Sequence, residues 1–142
     1  MEWKECNEKR MTKKALKDIE LISSLIEASK IKIEYAGKIE ITDRNATVAV
    51  SLYYDSLREI LEAIANLNNY KVYNHECFCA FLKEILNEPD KADLFDKLRK
   101  IRNSINYYGK KKISKKEAEL IIKEILSLRK ELISEYLNEI NK

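Results

Sequence analysis

Leu98-Arg99-Lys100-Ile101-Arg102-Asn103-Ser104-Ile105-Asn106-Tyr107-Tyr108-Gly109 is the stretch from which the rest of the chain is read. At helical spacing it has two faces. Leu94, Leu98, Ile101, Ile105 and Tyr108 step by four and three residues, the spacing of a core-facing stripe. Arg99, Arg102, Asn103 and Asn106 step in the same way on a second stripe. Two guanidinium groups and two carboxamides therefore run beside an apolar seam. Asn is a poor helix former because its amide competes for the backbone, so two on one face need a reason beyond solvation. One reason is local: Asn106 near the helix end helps to cap it, and Asn103 bonds a neighbouring helix. The other is a recognition face for phosphate or bases. Spacing by itself weighs toward the local reason.

Working outward, the same periodicity organises the remaining chain. Thr12 to about Ala36 reads as a helix with Leu16, Ile19, Ile22, Ile26 and Ile33 inward, and Gly37 as the left-handed residue after its end. The alternation of Ile31, Ile33, Tyr35, Ile39 and Ile41 also fits a hairpin, but a lone hairpin lacks a sheet to join, so the helix is retained. Asp43 is placed to cap the next helix, which runs to about Asn66 and is apolar around most of its circumference, the mark of the most buried element. On it, Arg58 and Glu62 are four apart and suited to pair. Asn68 to Tyr73 reads as a turn, and Asn74 as the cap of a short helix, His75 to about Asn87. Pro89 and Asp90 restart the chain into the helix that ends at Tyr108 and Gly109. Lys110 to Ile113 is a basic loop. Ser114 and Glu117 form a capping box for a last helix reaching about Asn141. The expectation is an all-α, single-domain antiparallel bundle over residues 1–142, four long helices plus one short one, with residues 1–11 flexible or loosely packed.

Composition limits the function classes. The chain has 142 residues with 27 Lys and Arg against 24 Asp and Glu, a net charge of +3. That excess is too small to argue for nucleic acid, so any basic footprint has to be local. Richness in Lys, Glu and Ile with no Gln fits a thermophile. No secretory signal or membrane-length apolar run occurs, which points to the cytoplasm and away from a membrane. Cys6, Cys77 and Cys79 lack zinc-site spacing and have a single His to join them, so they read as buried thiols and no metal is expected. A glycine-rich phosphate loop and a Gly-x-Ser-x-Gly elbow are absent, and no cofactor is implied. Glu59 and Glu62 on the buried helix read as ion-pair partners of Arg58 or Arg102 rather than as acid/base groups. His75, the only histidine, stands in a first helical turn, where the positive dipole end disfavours its protonated form.

With these residues placed, the chain resembles the HEPN domain, a small helical bundle of many bacterial and archaeal proteins. Ser51-Leu52-Tyr53-Tyr54-Asp55-Ser56-Leu57-Arg58-Glu59 is similar to that family's aromatic-centred second helix, and Asn74-His75-Glu76 to its short third helix. Arg102-Asn103 followed by Asn106-Tyr107-Tyr108-Gly109 resembles its Arg-Asn-x-x-x-His signature at the end of the fourth. The resemblance implies a homodimer with the signature helices facing each other. Active members are metal-independent ribonucleases, often toxins, and many are paired with a small nucleotidyltransferase antitoxin. Carried over, Arg102 would bind the scissile phosphate and Asn103 would orient it. The family's His falls on Tyr107, and the Tyr that some members carry falls on Gly109.

That departure bears on chemistry. A phenol of pKa about 10 is ionised in roughly one molecule in a thousand at neutral pH, whereas imidazole is poised for proton transfer. Tyr107 can donate a hydrogen bond to phosphate or stack on a base. Proton transfer then needs an activated Tyr107, or His75 from the neighbouring helix, or is lost. The expectation is binding of RNA or nucleotide phosphate through Arg99, Arg102, Asn103, Asn106 and Tyr107 without efficient cleavage. A ribonuclease using Arg102, Tyr107 and His75 is the alternative, and a helical dimerisation module is the third.

Overall fold

The computed structural model describes residues 1–106 and 112–140, and of Asn106 only the backbone. The described chain is mostly helical: α1 (Trp3–Glu8), α2 (Ile19–Ala36), α3 (Ala46–Leu67), α4 (His75–Ala80), α5 (Pro89–Asn106) and α6 (Lys115–Leu132), with two short strands, β1 (Thr12–Lys14) and β2 (Tyr70–Val72). Helices α4 and α6 each run on into a wider π-helical turn, Phe81–Ile85 and Ile133–Leu137. The central element is α3, against which α2, α5 and α6 pack. Its Tyr54, Leu57, Ile60, Leu61 and Ile64 are fully buried. Each such Leu or Ile contributes about 1.5–3 kcal/mol by leaving water.

Caps fix the helix ends. Asp18 accepts from the Leu21 amide at 3.1 Å and begins α2. The chain before it is held extended by the buried carboxamide of Asn66, which accepts from Asp18 N at 2.8 Å and donates to the Leu16 carbonyl at 3.2 Å. The helix expected from Thr12 therefore starts seven residues later. Gly37 does follow its last residue, but with φ −64° and ψ −17° it is right-handed, not left-handed. What favours glycine there is space, since a Cβ would meet the Ile33 carbonyl oxygen at 3.3 Å. Asp43 does not cap α3: its carboxylate accepts from the Lys115 amide at 2.7 Å and so serves the first turn of α6, seventy-two residues away. The Ser114–Glu117 capping box is formed as expected.

Three features correct the sequence reading. First, β1 and β2 form an antiparallel ribbon, pairing Thr12 with Val72, Lys13 with Lys71 and Lys14 with Tyr70. Tyr73 N donates to the Met11 carbonyl at 2.7 Å and extends the ladder. The expected turn at Asn68–Tyr73 thus contains a strand, and three-residue strands are too short to show alternation. Second, the N-terminus is packed rather than loose. Trp3 is buried edge-on against Tyr70 at 5.0 Å, its amide donates to Glu84 at 2.7 Å, and the Thr12 hydroxyl donates to Asn7 Oδ1. Third, Cys6 and Cys77 are not free thiols but a disulfide that joins α1 to α4, leaving Cys79 as the free cysteine.

The disulfide spans a sequence separation of 71 residues. Restricting so long a loop in the unfolded chain stabilises the fold by about 2–4 kcal/mol. We expect Cys6→Ser to lower the urea unfolding free energy by about that amount. Reductant should do the same to the wild type and nothing to the variant; a wild type indifferent to reductant would show that the bond is not made. Ser114→Ala should cost about 1 kcal/mol through loss of the cap, read as a shift in denaturation midpoint.

Candidate functional site

The site is built from α3, the start of α4 and the middle of α5. Phe95 and Leu98 are the buried residues on this part of α5, while Leu94, Ile101 and Ile105 are half-buried. Arg102 stands seven residues after Phe95, two helical turns on, and so faces α3 rather than solvent. Its guanidinium carbon lies 5.5 Å from the centre of the Tyr54 ring, and its Nη2 lies 3.9 Å from Asp55. Only 15% of its side chain is exposed. The Tyr54 ring also stacks on Phe95 at 5.7 Å. The second arginine is held differently. Arg99 donates from Nε and Nη2 to one oxygen of Asp96, at 3.2 and 2.7 Å.

His75 enters this group from α4. Asn74 caps that helix by accepting from the Glu76 amide at 2.8 Å, which turns the next residue toward α3. His75 Nδ1 lies 3.2 Å from the Tyr54 hydroxyl. Burial pushes the imidazole pKa down to about 4, helped by the cations of Arg58, Arg102 and Arg99 and opposed by Asp55. The depression expected from the helix start is present, but desolvation is its main cause. Burial raises the Tyr54 phenol far above its ordinary value, so it keeps its proton. Two tautomers of neutral His75 fit this contact: one accepts the phenol proton at Nδ1 and carries its own hydrogen on Nε2, the other donates from Nδ1 to the phenol oxygen.

These residues line a pocket of about 350 Å³ formed by Tyr73, Asn74, His75, Glu76, Arg99, Arg102 and Asn103. Three of the expected phosphate-binding residues and the candidate base, distant in sequence, are thus brought together. The side chain of Asn106 and all of Tyr107 lie outside the described residues, as do Tyr108, Gly109 and the Lys110–Lys111 half of the basic loop. A second depression of about 550 Å³ shares Arg99 and Glu76 but adds Glu2, Glu84, Asp93 and Asp96 beside Lys83 and Lys100, a lining of mixed charge in which the carboxylates outnumber the cations. Its Cys79 thiol donates to Asp96 at 3.6 Å, and burial, with that carboxylate, pushes its pKa up to about 12, so it is not an activated nucleophile.

The buried-helix carboxylates are ion-pair partners. Glu62 meets Arg58 at 2.6 Å as expected, whereas Glu59 meets Lys32 at 2.9 Å rather than either arginine. Among the described residues no group of three His, Cys, Asp or Glu is placed to hold a metal, and no helix is long and apolar enough to cross a membrane. Two participants escaped the sequence reading: Tyr54, as the ring that seats Arg102 and His75, and Tyr73, on the pocket rim. No family model, no curated protein and no solved structure matches the chain.

A single histidine makes the electrostatics directly measurable. The His75 ring-proton shift in NMR should titrate near pH 4 instead of 6.5. Because the unfolded chain takes up this proton and the folded one does not, stability should fall as pH drops from about 6.5 toward 4. His75→Gln should remove that part of the pH dependence in urea melts. A titration near 6.5 would mean that the ring is solvated.

Proposed function

We propose that this chain is a HEPN-like protein that binds nucleotide or RNA phosphate at the Arg102–Asn103–His75 pocket, as a homodimer, without efficient cleavage. The observation that carries this is the convergence of Arg99, Arg102, Asn103 and His75 on one pocket. Charge-assisted hydrogen bonds from guanidinium, carboxamide and imidazole N–H suit a phosphate, which offers only acceptors. His75 is neutral at pH 7 and, in the tautomer that accepts from Tyr54 at Nδ1, offers Nε2–H as a donor. The homodimer is implied by the resemblance; Leu94, Ile101 and Ile105 on α5 are partly buried against this chain's own core and leave only their outer edges to a second copy.

The ribonuclease reading is kept by one observation, the presence of His75 in the phosphate pocket. A bound phosphate would raise the imidazole pKa by its negative charge and bring it nearer to useful proton transfer. In that case a small nucleotidyltransferase partner would be implied as well. A dimerisation module without ligand is the third reading. For location, we infer the cytoplasm: disulfides persist inside cells in hyperthermophiles, and the Gln-free, Lys- and Glu-rich composition fits that setting.

The test is binding of fluorescent single-stranded RNA across a salt series, with fragment release followed in chelator. Arg102→Ala should weaken binding by about 1.5–3 kcal/mol, the range for a hydrogen bond to a charged group. Arg102→Lys and Asn103→Ala, with circular dichroism as a folding check, separate the ligand contact from the seat on Tyr54. Tyr107→His should install or raise cleavage. Robust wild-type cleavage lost in His75→Ala would establish the ribonuclease reading, and no binding at low salt would leave the module.

A further inference from the structure

The ribbon that the sequence did not show adjoins the phosphate pocket. Tyr73 directly follows β2, lines the pocket, and is 54% exposed, an unusual degree for a Tyr beside a buried cluster. Its neighbours Lys71 and Lys13 both bring Nζ to 5.9 Å from the ring centre. Alternation along the strand puts Lys71 and Tyr73 on the face opposite the buried Val72. The register puts Lys13 directly across from Lys71. Like charges in directly opposed positions destabilise a strand pair, and this ribbon is too short to absorb that easily. The pairing becomes favourable when a polyanion lies along it.

An exposed aromatic flanked by two ammonium groups, next to a pocket of guanidinium, carboxamide and imidazole donors, matches the repeating chemistry of a single nucleic-acid strand. Each repeat presents a phosphate and, one unit away, a flat base. In a duplex the bases are stacked on one another and cannot reach an outside ring. We infer that the Lys13–Tyr73–Lys71 face is a nucleobase-stacking platform on the pocket rim, so that the ligand is a single-stranded RNA segment with one base on Tyr73 and the adjoining phosphate at Arg102 and Asn103. This rests on the phosphate-binding reading above and adds a ligand class to it. Glu76 on the same rim, with the Met1 amino group 3.6 Å from its carboxylate, sets a limit to where the phosphates run.

The experiment compares three labelled probes by fluorescence anisotropy: a uridine octamer, the same ribose-phosphate backbone without bases, and a duplex RNA. The wild type should prefer the octamer to both others. Tyr73→Ala should weaken octamer binding by about 5- to 150-fold, the range for one lost base stack, and leave the abasic backbone unchanged. Tyr73→Trp should bind as well as the wild type or better. Lys13→Ala with Lys71→Ala should lower the slope of log affinity against log salt by about 1.4, two contacts at about 0.7 each. If Tyr73→Ala fails to fold, the wild-type preference for bases over the abasic backbone decides. Equal binding of all three probes, or an octamer affinity indifferent to Tyr73 while Arg102→Lys still weakens it, would overturn the platform and spare the phosphate pocket. No binding of any probe by the wild type at low salt would overturn both.

Discussion

The fully buried ring of Tyr54 is the contact on which the site depends. It stands on α3, the element around which the core is assembled, and meets three groups from two other helices. Its hydroxyl needs a partner because an unsatisfied buried polar group costs about 1–3 kcal/mol, and His75 Nδ1 is that partner. Its faces are taken up by the stacked Phe95 ring and the Arg102 guanidinium. The π-face attracts the cation most strongly where water is excluded. One side chain thus sets the position of the α5 arginine and the state of the α4 histidine together. Burial around it keeps the phenol protonated and the imidazole neutral, so the positive charge of the site resides on guanidinium groups.

Those guanidinium groups are not equivalent. Arg58 is paired to Glu62 at 2.6 Å, and Arg99 to Asp96 through two donors, the closer at 2.7 Å. The Arg102–Asp55 separation is 3.9 Å, beyond hydrogen-bond length, and acts through Coulomb attraction alone. A phosphate approaching Arg99 has to compete with two short charge-assisted bonds. Arg102 is held instead against the Tyr54 ring, with only 15% of its side chain exposed, a half-desolvated setting in which screening is weaker. Arg99, Arg102 and Asn103 nevertheless line one pocket, the arginines reaching it from different seats. Both arginines sit on the stripe read from the sequence, but the stripe does not show their acids: Asp55 comes from a distant helix and Asp96 from the preceding turn.

The four long helices were legible because each carries a periodic stripe many residues long, whereas six-residue α1 fell in the stretch expected to be loose. Asn74, Ser114 and Glu117 act within three residues of their own position, and spacing reveals them. Whatever acts at a distance was hidden. Asp43 looks like a cap for the helix that follows it and instead caps α6, because the chain folds back there. The disulfide joins cysteines from separate elements, and nothing in their spacing selects Cys77 over Cys79. The ribbon is two three-residue strands whose contrast between buried Thr12 or Val72 and exposed Lys is too brief to count as a pattern. On α5 the stripe of Leu94, Leu98, Ile101 and Ile105 does pack against the core, but the fully buried aromatic is Phe95 beside it, which spacing does not single out.

These hidden long-range contacts converge on the wall of the pocket. Tyr73 and Asn74 form a short connection from β2 to the first turn of α4, which carries His75 and Glu76, and such a connection would ordinarily be among the most mobile parts of a small domain. Here it is anchored at both ends. Upstream, Tyr73 N continues the ladder to Met11 and β2 pairs with β1. Downstream, Cys77 is bonded to Cys6 of α1, and the sulfurs of Met1 and Met11 lie 3.8 and 3.9 Å from it. Trp3 seals the same helix against Tyr70 and Phe81. The N-terminal segment contributes little to the four long helices, yet it fixes the loop that presents His75 to Tyr54 and Tyr73 to solvent. A donor held in place before the ligand arrives binds more tightly than one ordered by it, because the ordering entropy has already been lost on folding. The first fourteen residues are in that sense part of the site's preorganisation, although among them it is Lys13, beside Tyr73, and the Met1 amino group, beside Glu76, that lie next to it.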